Sequence, residues 1–307
     1  MLTARQALID GTQRLAAAGI DSARTDAELL LCHVLGVKRA RLLLVDELDY
    51  EQRMNFERVI SARQARVPLQ HLTGLAPFRY LELEIGPGAL VPRPETEVVV
   101  EAALRWVREQ AMTRPLLLDL CSGAAPIALS LATELDNVDV VAVEKYAEAQ
   151  AWGRRNAERL APAIAARGNR LELLDADVSD LEALRRFEQR AAVIVANPPY
   201  IPEGMVPRDP EVLQHDPHVA LFGGADGFDV IRGLLDTAAM CLQDGGYLVI
   251  EHADAQGERQ PSATDNDTVI AGSLPQLMRQ HGAFLDVQDH RDLADRPRYT
   301  TAIRHSR

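Results

Sequence analysis

The sequence predicts an α/β protein: a doubly wound, mainly parallel sheet with an antiparallel closing strand, preceded by a small N-terminal helical bundle. Three observations lead there. Short apolar strands alternate with amphipathic helices from Pro115 onward, small or acidic residues follow successive strand ends, and residues 1–75 carry helical periodicity only. A chain of 307 residues is long enough for one large domain and a smaller one. Only 5% of residues are aromatic, little for stacking on single strands, and the net charge of −12 removes the general attraction to phosphate backbones. The balance favours a protein or small-molecule substrate and no direct nucleic acid.

The helical part comes first. Thr3 can cap a helix ended by Gly19, and Thr25-Asp-Ala-Glu can start a second ended by Gly36, with Leu29 to Leu31, Val34 and Leu35 as its buried face. A short segment (Val37 to Val45) and a helix from Glu51 to Val67 complete the bundle. Alternation in Phe78 to Ile85 and again in Ala89 to Val91 predicts two strands around the turn Gly86-Pro-Gly. The domains are therefore expected at 1–75 (helical), 76–97 (hairpin linker) and 98–307 (α/β). In the last, strands are expected at Leu116–Leu120, Val138–Val143, Leu171–Leu174, Val193–Ala196 and Tyr247–Glu251. Helices are expected at Val98–Gln110, Pro126–Leu135, Ala147–Leu160 and Val230–Leu242. Phe284–Val287 and Thr300–Ile303 form the antiparallel pair around a charged loop, Asp289 to Arg296, and the aperiodic Gly257–Asp267 reads as a flexible insertion.

The remaining class markers point to a cytoplasmic protein. The apolar stretch Leu116–Leu135 holds Asp119 and a Gly/Pro turn, so it reads as strand, turn and helix and not as a membrane span. Cys32, Cys121 and Cys241 are scattered without a Cys-x-x-Cys pair, which suggests reduced thiols and no metal site. The first residues lack the apolar core of a signal peptide.

Two stretches carry chemistry. After Asp119-Leu120, the turn Cys121-Ser122-Gly123-Ala124-Ala125-Pro126 opens a helix, the arrangement that presents free N–H groups to a ligand. Gly123 is the one glycine; Cys121 and Ala125 fill the other small-residue places, which suits a nucleoside with an amino-acid tail better than a pyrophosphate. Glu144, at the end of the next strand, can accept from ribose hydroxyls, and Asp177 can meet an adenine amine with Val178 packing on the ring. The second stretch is Asn197-Pro198-Pro199-Tyr200, directly after the fourth parallel strand. Two prolines stiffen the loop and hold Asn197 extended. The Asn197 side-chain oxygen and the Pro198 carbonyl make two acceptors for the two hydrogens of an NH2 group, and Tyr200 offers a flat face to a planar amide or base. Such acceptors orient a weakly nucleophilic nitrogen and favour the charge that develops on it, without a general base.

With these motifs the chain resembles the HemK/PrmC family of release factor glutamine methyltransferases over nearly its whole length. The resemblance is carried by Thr73-Gly74 with Phe78, Leu90-Val-Pro-Arg-Pro-Glu-Thr-Glu97, Asp119 to Gly123, Asn197 to Pro202, and Ala220-Leu-Phe-Gly-Gly-Ala-Asp-Gly227. It implies a class I (Rossmann-like) methyltransferase fold and S-adenosyl-L-methionine as cofactor, with S-adenosyl-L-homocysteine as product. The implied substrate is the glutamine of the Gly-Gly-Gln loop of peptide chain release factors, bound by a monomer whose helical module docks the factor. Cofactor contacts would come from Asp119, Cys121 to Ala125, Glu144, Asp177, Val178 and Asn197, and the glutamine would be held by Asn197 to Tyr200. Arg93 and Glu95 are expected to brace the hinge or the methionine end of the cofactor. Ala124-Ala125-Pro126, Glu144 and Ala192 depart from the family's commoner Ser/Thr-Gly-Ala, Asp and Asp. The competing readings are a ribosomal-protein glutamine methyltransferase, a nucleic-acid adenine methyltransferase, which would have to extrude its base, and a cofactor-free adaptor.

Overall fold

Helix caps and turns set the first elements, and the computed structural model describes them within residues 3–207, 209–258 and 272–306. The predicted flexible insertion lies outside the described residues from position 259 onward. The chain forms two compact units: Met1–Ala76 with Ile85–Pro87 and Val206–Asp216, and Pro77–Glu84 with Gly88–Met205 and Pro217–Arg307.

In the first unit, α1 (Ala4–Ala17) starts at a capping box: the Thr3 hydroxyl accepts from Gln6 N at 3.1 Å and the Gln6 side chain accepts from Thr3 N at 3.2 Å. Helix α2 (Ala23–Leu35) begins earlier than the expected Thr25, because the Ser22 hydroxyl bonds Asp26 at 2.8 Å, and it ends at Gly36 with φ 64°. A 3₁₀ turn (Arg39–Leu44) precedes α3 (Tyr50–Gln64), which Asp49 and Gln52 cap, and α4 (Leu69–Thr73), which was not anticipated. Leu15, Leu30, Leu31, Phe56 and Ile60 fill the interior. A buried Arg63–Asp26 pair (2.8 Å) crosses it, and Arg63 and Arg66 also hold Glu211 at 2.9 and 3.1 Å.

The hairpin differs from expectation. Strands β1 (Leu75–Phe78) and β2 (Leu81–Glu84) turn at Arg79-Tyr80, so Phe78–Ile85 is not one strand, and Gly86-Pro-Gly follows the ribbon without a partner strand at 89–91. Arg79 holds the turn: with φ 51°, its N–H donates to Glu97 at 3.0 Å and its guanidinium reaches Glu134 at 2.7 Å and Glu101 at 2.8 Å.

The second unit continues with α5 (Glu97–Glu109), β3 (Leu116–Leu120), α6 (Pro126–Glu134), β4 (Asp139–Glu144), α7 (Ala147–Ala166), β5 (Arg170–Asp175), α8 (Leu181–Leu184) and β6 (Ala191–Ala196). After α9 (Pro210–His215), which belongs to the first unit, come α10 (His218–Leu221), α11 (Asp229–Cys241), β7 (Leu242–Glu251), α12 (Leu274–His281), β8 (Phe284–Arg291) and β9 (Pro297–Arg304). The sheet runs β5-β4-β3-β6-β7-β9-β8, with β9 antiparallel to both neighbours. The predicted charged loop is shorter than expected. Asp289 to Arg291 belong to β8, where Asp289 accepts from or pairs with the buried His252 ring at 2.9 Å and His290 stacks on Tyr299.

Both faces of the sheet are covered, as strands apolar on both sides require. One face packs α5, α6 and α7 through residues such as Val100, Leu104, Leu129 and Ile164; the other packs α8, α11 and α12 through Leu184, Ile231, Leu235 and Met278. No helix among the described residues is long and apolar enough to cross a membrane.

Candidate active site

The carboxyl ends of β3, β4, β5 and β6 open on a cavity of about 410 Å³, the position at which open α/β sheets bind ligands. Its floor is the turn between β3 and α6. Cys121, Gly123 and Ala125 have φ of 63°, 58° and 63°, so all three small-residue places are left-handed although only one is glycine. A residue with a Cβ pays about 1–2 kcal/mol for that conformation. The turn is held by Ser122 N to Val143 O (3.0 Å) and Ala125 N to Ser122 O (2.7 Å). A Cβ at Gly123 would meet nothing within 4 Å, so the space above it is open to a ligand. Cys121 and Gly123 line the cavity, whereas Ser122, Ala124 and Ala125 are buried behind it. Burial, with Glu144 and Asp119 nearby, pushes the Cys121 thiol up and disfavours its thiolate.

Asp119 does not reach the cavity wall either. It is fully buried and accepts from Ala128 N at 2.9 Å, which caps the first turn of α6 from beneath, while its Oδ1 has no hydrogen-bond partner. Burial raises its carboxyl to about 8. The folded state therefore binds the proton more tightly than the unfolded chain, and stability falls as pH rises from the unfolded value of about 4 toward 8. Asp119→Asn keeps an acceptor for Ala128 and removes the charge. Thermal melts across this window are expected to show the variant gaining on the wild type as pH rises; parallel curves would contradict the assignment.

Glu144 lines the cavity with its carboxylate pinned by backbone: Gly123 N to Oε2 at 2.8 Å, and Lys145 N and Tyr146 N to Oε1 at 2.9 Å each. Of the roughly four acceptor positions of a carboxylate, one on Oε2 is left for a hydroxyl. Asp177, just past the end of the neighbouring β5, is held by the Ser179 hydroxyl (2.6 Å), Ser179 N (2.9 Å) and Lys145 (3.0 Å). Those bonds, the Ser179 hydroxyl first, depress its carboxyl to about 2. Val178 supplies a buried apolar wall, and its carbonyl accepts from Thr237.

The Asn197–Tyr200 loop forms the other wall. Asn197 Nδ2 donates to Thr96 Oγ1 at 3.1 Å, so its Oδ1 end is the one left for the cavity. Pro199 also lines the cavity; Pro198 is buried, and neither it nor Tyr200 is part of the wall. The Tyr200 ring packs against the core on the α11 side of the sheet, and its hydroxyl donates to Glu251 at 3.4 Å. Burial pushes its phenol up.

Residues that sequence reasoning did not assign hold this loop in place. Ile201 N donates to Leu221 O (2.9 Å), Gly223 N to Ile201 O (2.9 Å) and Glu203 N to Gly224 O (2.8 Å). Gly223 and Gly227 come so close to the Pro199 and Tyr200 carbonyls that a Cβ would lie 2.5 and 2.3 Å from those oxygens. Gln256 Nε2 donates to Tyr200 O at 3.0 Å. The glycines, and Thr96 within the Pro92–Glu97 stretch, were visible as motifs without these contacts; Glu251 and Gln256 had no local signal. Arg93 lines the cavity, and Glu95 does not. Among the described residues no cluster of His, Cys, Asp and Glu could hold a metal ion.

Numbered within itself, the sheet has the order 3-2-1-4-5-7-6 with its seventh strand antiparallel, and the cavity lies over strands one to four. That order, with a glycine turn after strand one and an acid ending strand two, defines a class I methyltransferase. Residues 6–74 match the family model of the PrmC N-terminal domain. The release factor glutamine methyltransferase of Streptomyces coelicolor is 44% identical over 295 residues, covering 95% of this chain and 94% of the relative. That of Mycolicibacterium smegmatis is 42% identical and is covered, like this chain, over 100% of its length. Among solved structures, the release-factor-specific protein-(glutamine-N5) methyltransferase of Alicyclobacillus acidocaldarius is similar at 22% identity and a TM-score of 0.38, over 73% of this chain and 99% of that one. The chain belongs to the release factor glutamine methyltransferase family.

Proposed function

We propose that the chain methylates the side-chain amide nitrogen of the glutamine in the Gly-Gly-Gln loop of peptide chain release factors, acting as a cytoplasmic monomer. The observation that carries this reading is the Asn197 amide, whose donor end is occupied by Thr96 and whose acceptor end is left for the cavity. An NH2 substrate needs acceptors, and a buried acceptor rejects a group without hydrogens to give.

The cavity fits the donor molecule. Cys121 and Gly123 leave room for its amino-acid end, Glu144 keeps one acceptor position for a ribose hydroxyl, and Val178 offers an apolar face to a base. S-adenosyl-L-methionine, when bound, supplies an electrophilic methyl group on a sulfonium. Asn197 Oδ1 is assigned to one amide hydrogen; the Pro198 carbonyl, expected from the sequence to take the other, belongs to a residue outside the cavity wall and is not given that role. Accepting from the amide, Asn197 orients the nitrogen and favours positive charge developing on it. No side chain needs to remove a proton first, because the methylated amide sheds it readily afterwards. The helical unit is assigned to docking of the protein substrate.

The test is methyl transfer from labelled S-adenosyl-L-methionine to purified, unmethylated release factor, beside the same factor with its loop glutamine replaced. Label on the first and none on the second is expected. Equal labelling of both, or label on neither despite cofactor binding, would contradict the reading.

A further inference from the structure

An amide side chain has two nearly isosteric ends, one a double donor and one an acceptor. If Asn197 were turned over, it would aim N–H groups at a substrate nitrogen that itself carries hydrogens. What fixes its direction is Thr96. The Thr96 hydroxyl, on a residue 3% exposed at the cavity wall, accepts from Asn197 Nδ2 at 3.1 Å. A hydroxyl can also donate, so the choice depends on where its own proton goes.

Glu251 ends β7, whose Ile250 pairs with Ala196 and so sets Glu251 beside Asn197, and the Thr96 hydroxyl is among the groups that hold the Glu251 carboxyl down. It is 1% exposed, its Oε1 accepts from the Tyr200 hydroxyl at 3.4 Å, and its Oε2 has no hydrogen-bond partner. A buried carboxyl left half satisfied requires an explanation. Neither Glu251 nor the Tyr200 hydroxyl lines the cavity, so a direct contact with ligand is not that explanation.

Resting on the transfer reaction proposed above, we infer that Thr96 and Glu251 are positioning residues for Asn197: the Glu251 carboxylate draws the Thr96 hydroxyl proton, the Thr96 oxygen is thereby committed as acceptor, and the Asn197 carbonyl end is held toward the substrate. Hydrogen-bonded groups of this kind reinforce one another in a medium of low polarity. Burial raises the Glu251 carboxyl to about 7 and Glu95, in the turn before α5, adds to it; the Thr96 hydroxyl, Arg298 on β9 and Tyr200 oppose the rise. Arg93 acts on the Tyr200 hydroxyl, and His252 is turned away to Asp289 and the Ala253 carbonyl. Below that value a protonated Glu251 is itself a donor and competes for the Thr96 lone pairs. Above it the relay is set.

The experiment compares the wild type with Thr96→Ser, Thr96→Val and Glu251→Gln, measuring kcat and KM for release factor on both sides of pH 7. Melting and cofactor affinity are followed alongside. Thr96→Val is expected to lower kcat by about tenfold or more with little change in cofactor affinity, and Thr96→Ser to restore it. The rise of kcat with pH through about 7 is expected in the wild type and absent in Glu251→Gln. The side-chain NH2 signals of Asn197, followed by NMR without any ligand, are expected to shift over the same range in the wild type and not in Glu251→Gln. A fully active Thr96→Val, a Thr96→Ser as impaired as Thr96→Val, or a pH response of Asn197 that survives in Glu251→Gln would each overturn the relay. A wild type inactive on release factor would remove the substrate assignment, and the NMR titration would still decide whether the relay exists.

Discussion

Asn197→Ala is expected to lower kcat for methyl transfer by about 10²–10³-fold, the loss typical when a group aimed at developing charge is removed. The alanine takes away the oxygen left for the cavity and leaves the Thr96 hydroxyl without its donor. The fold should tolerate the change, because Asn197 follows the last residue of β6 and bears no strand pairing of its own. The loss is therefore expected in single-turnover transfer, with melting near that of the wild type and cofactor binding weakened far less than kcat. Transfer within about tenfold of the wild type would mean that backbone acceptors suffice and that Asn197 is not the main orienting group.

Gly227→Ala is expected to be the most damaging small substitution around the site. Gly227 has φ 80°, and its added methyl would lie 2.3 Å from Tyr200 O and 2.8 Å from Gln256 Nε2. Those two atoms are hydrogen-bonded to each other at 3.0 Å, so neither can withdraw without breaking the contact that steadies the loop. The left-handed backbone costs about 1–2 kcal/mol and the overlap a further ~1–3 kcal/mol. A drop in Tm on the order of 10 °C is expected, together with loss of transfer. Gly204→Ala is the matched control. Gly204 has φ 90° but nothing within 4 Å of a Cβ, so only the backbone term applies. Equal melting of the two variants would show that the loop yields to the methyl group.

The pattern of apolar residues located the parallel strands well. Leu116–Leu120 was placed residue for residue, and Val138–Val143 and Val193–Ala196 to within one or two, because strands buried on both faces leave an uninterrupted apolar run. Short helices such as α9, α10 and α12 were missed, since a few residues carry no measurable period. The hairpin turn was misplaced because Gly-Pro-Gly is a stronger local signal than the carboxylates that hold Arg79, which lie far away in the chain. At the site, the Gly123 turn, Glu144, Val178 and Asn197 were legible from strand ends alone, and all four residues reach the cavity. The inward course of Tyr200 was not legible, because its ring can pack on either side of the loop until β7 supplies Glu251. Thr96 meets Asn197 across 101 residues, and only tertiary structure brings them together.

The course of the chain between Met205 and Pro217 bears on how such a protein can be taken apart or assembled in evolution. This stretch leaves the α/β unit, joins the helical one, where Glu211 meets Arg63 and Arg66, and then returns; the residues on either side of it, Glu203 and Pro217, are cavity wall. A single genetic breakpoint ahead of Pro77 therefore does not separate two modules. It would leave α9 behind as an orphan, with an acidic residue stripped of its arginines and a tether ending at the mouth of the active site. Because the helical unit draws on three stretches of chain, its exchange between relatives requires cuts on both sides of Val206–Asp216 as well as ahead of Pro77, so the helical bundle and a loop flanked by cavity-wall residues change together.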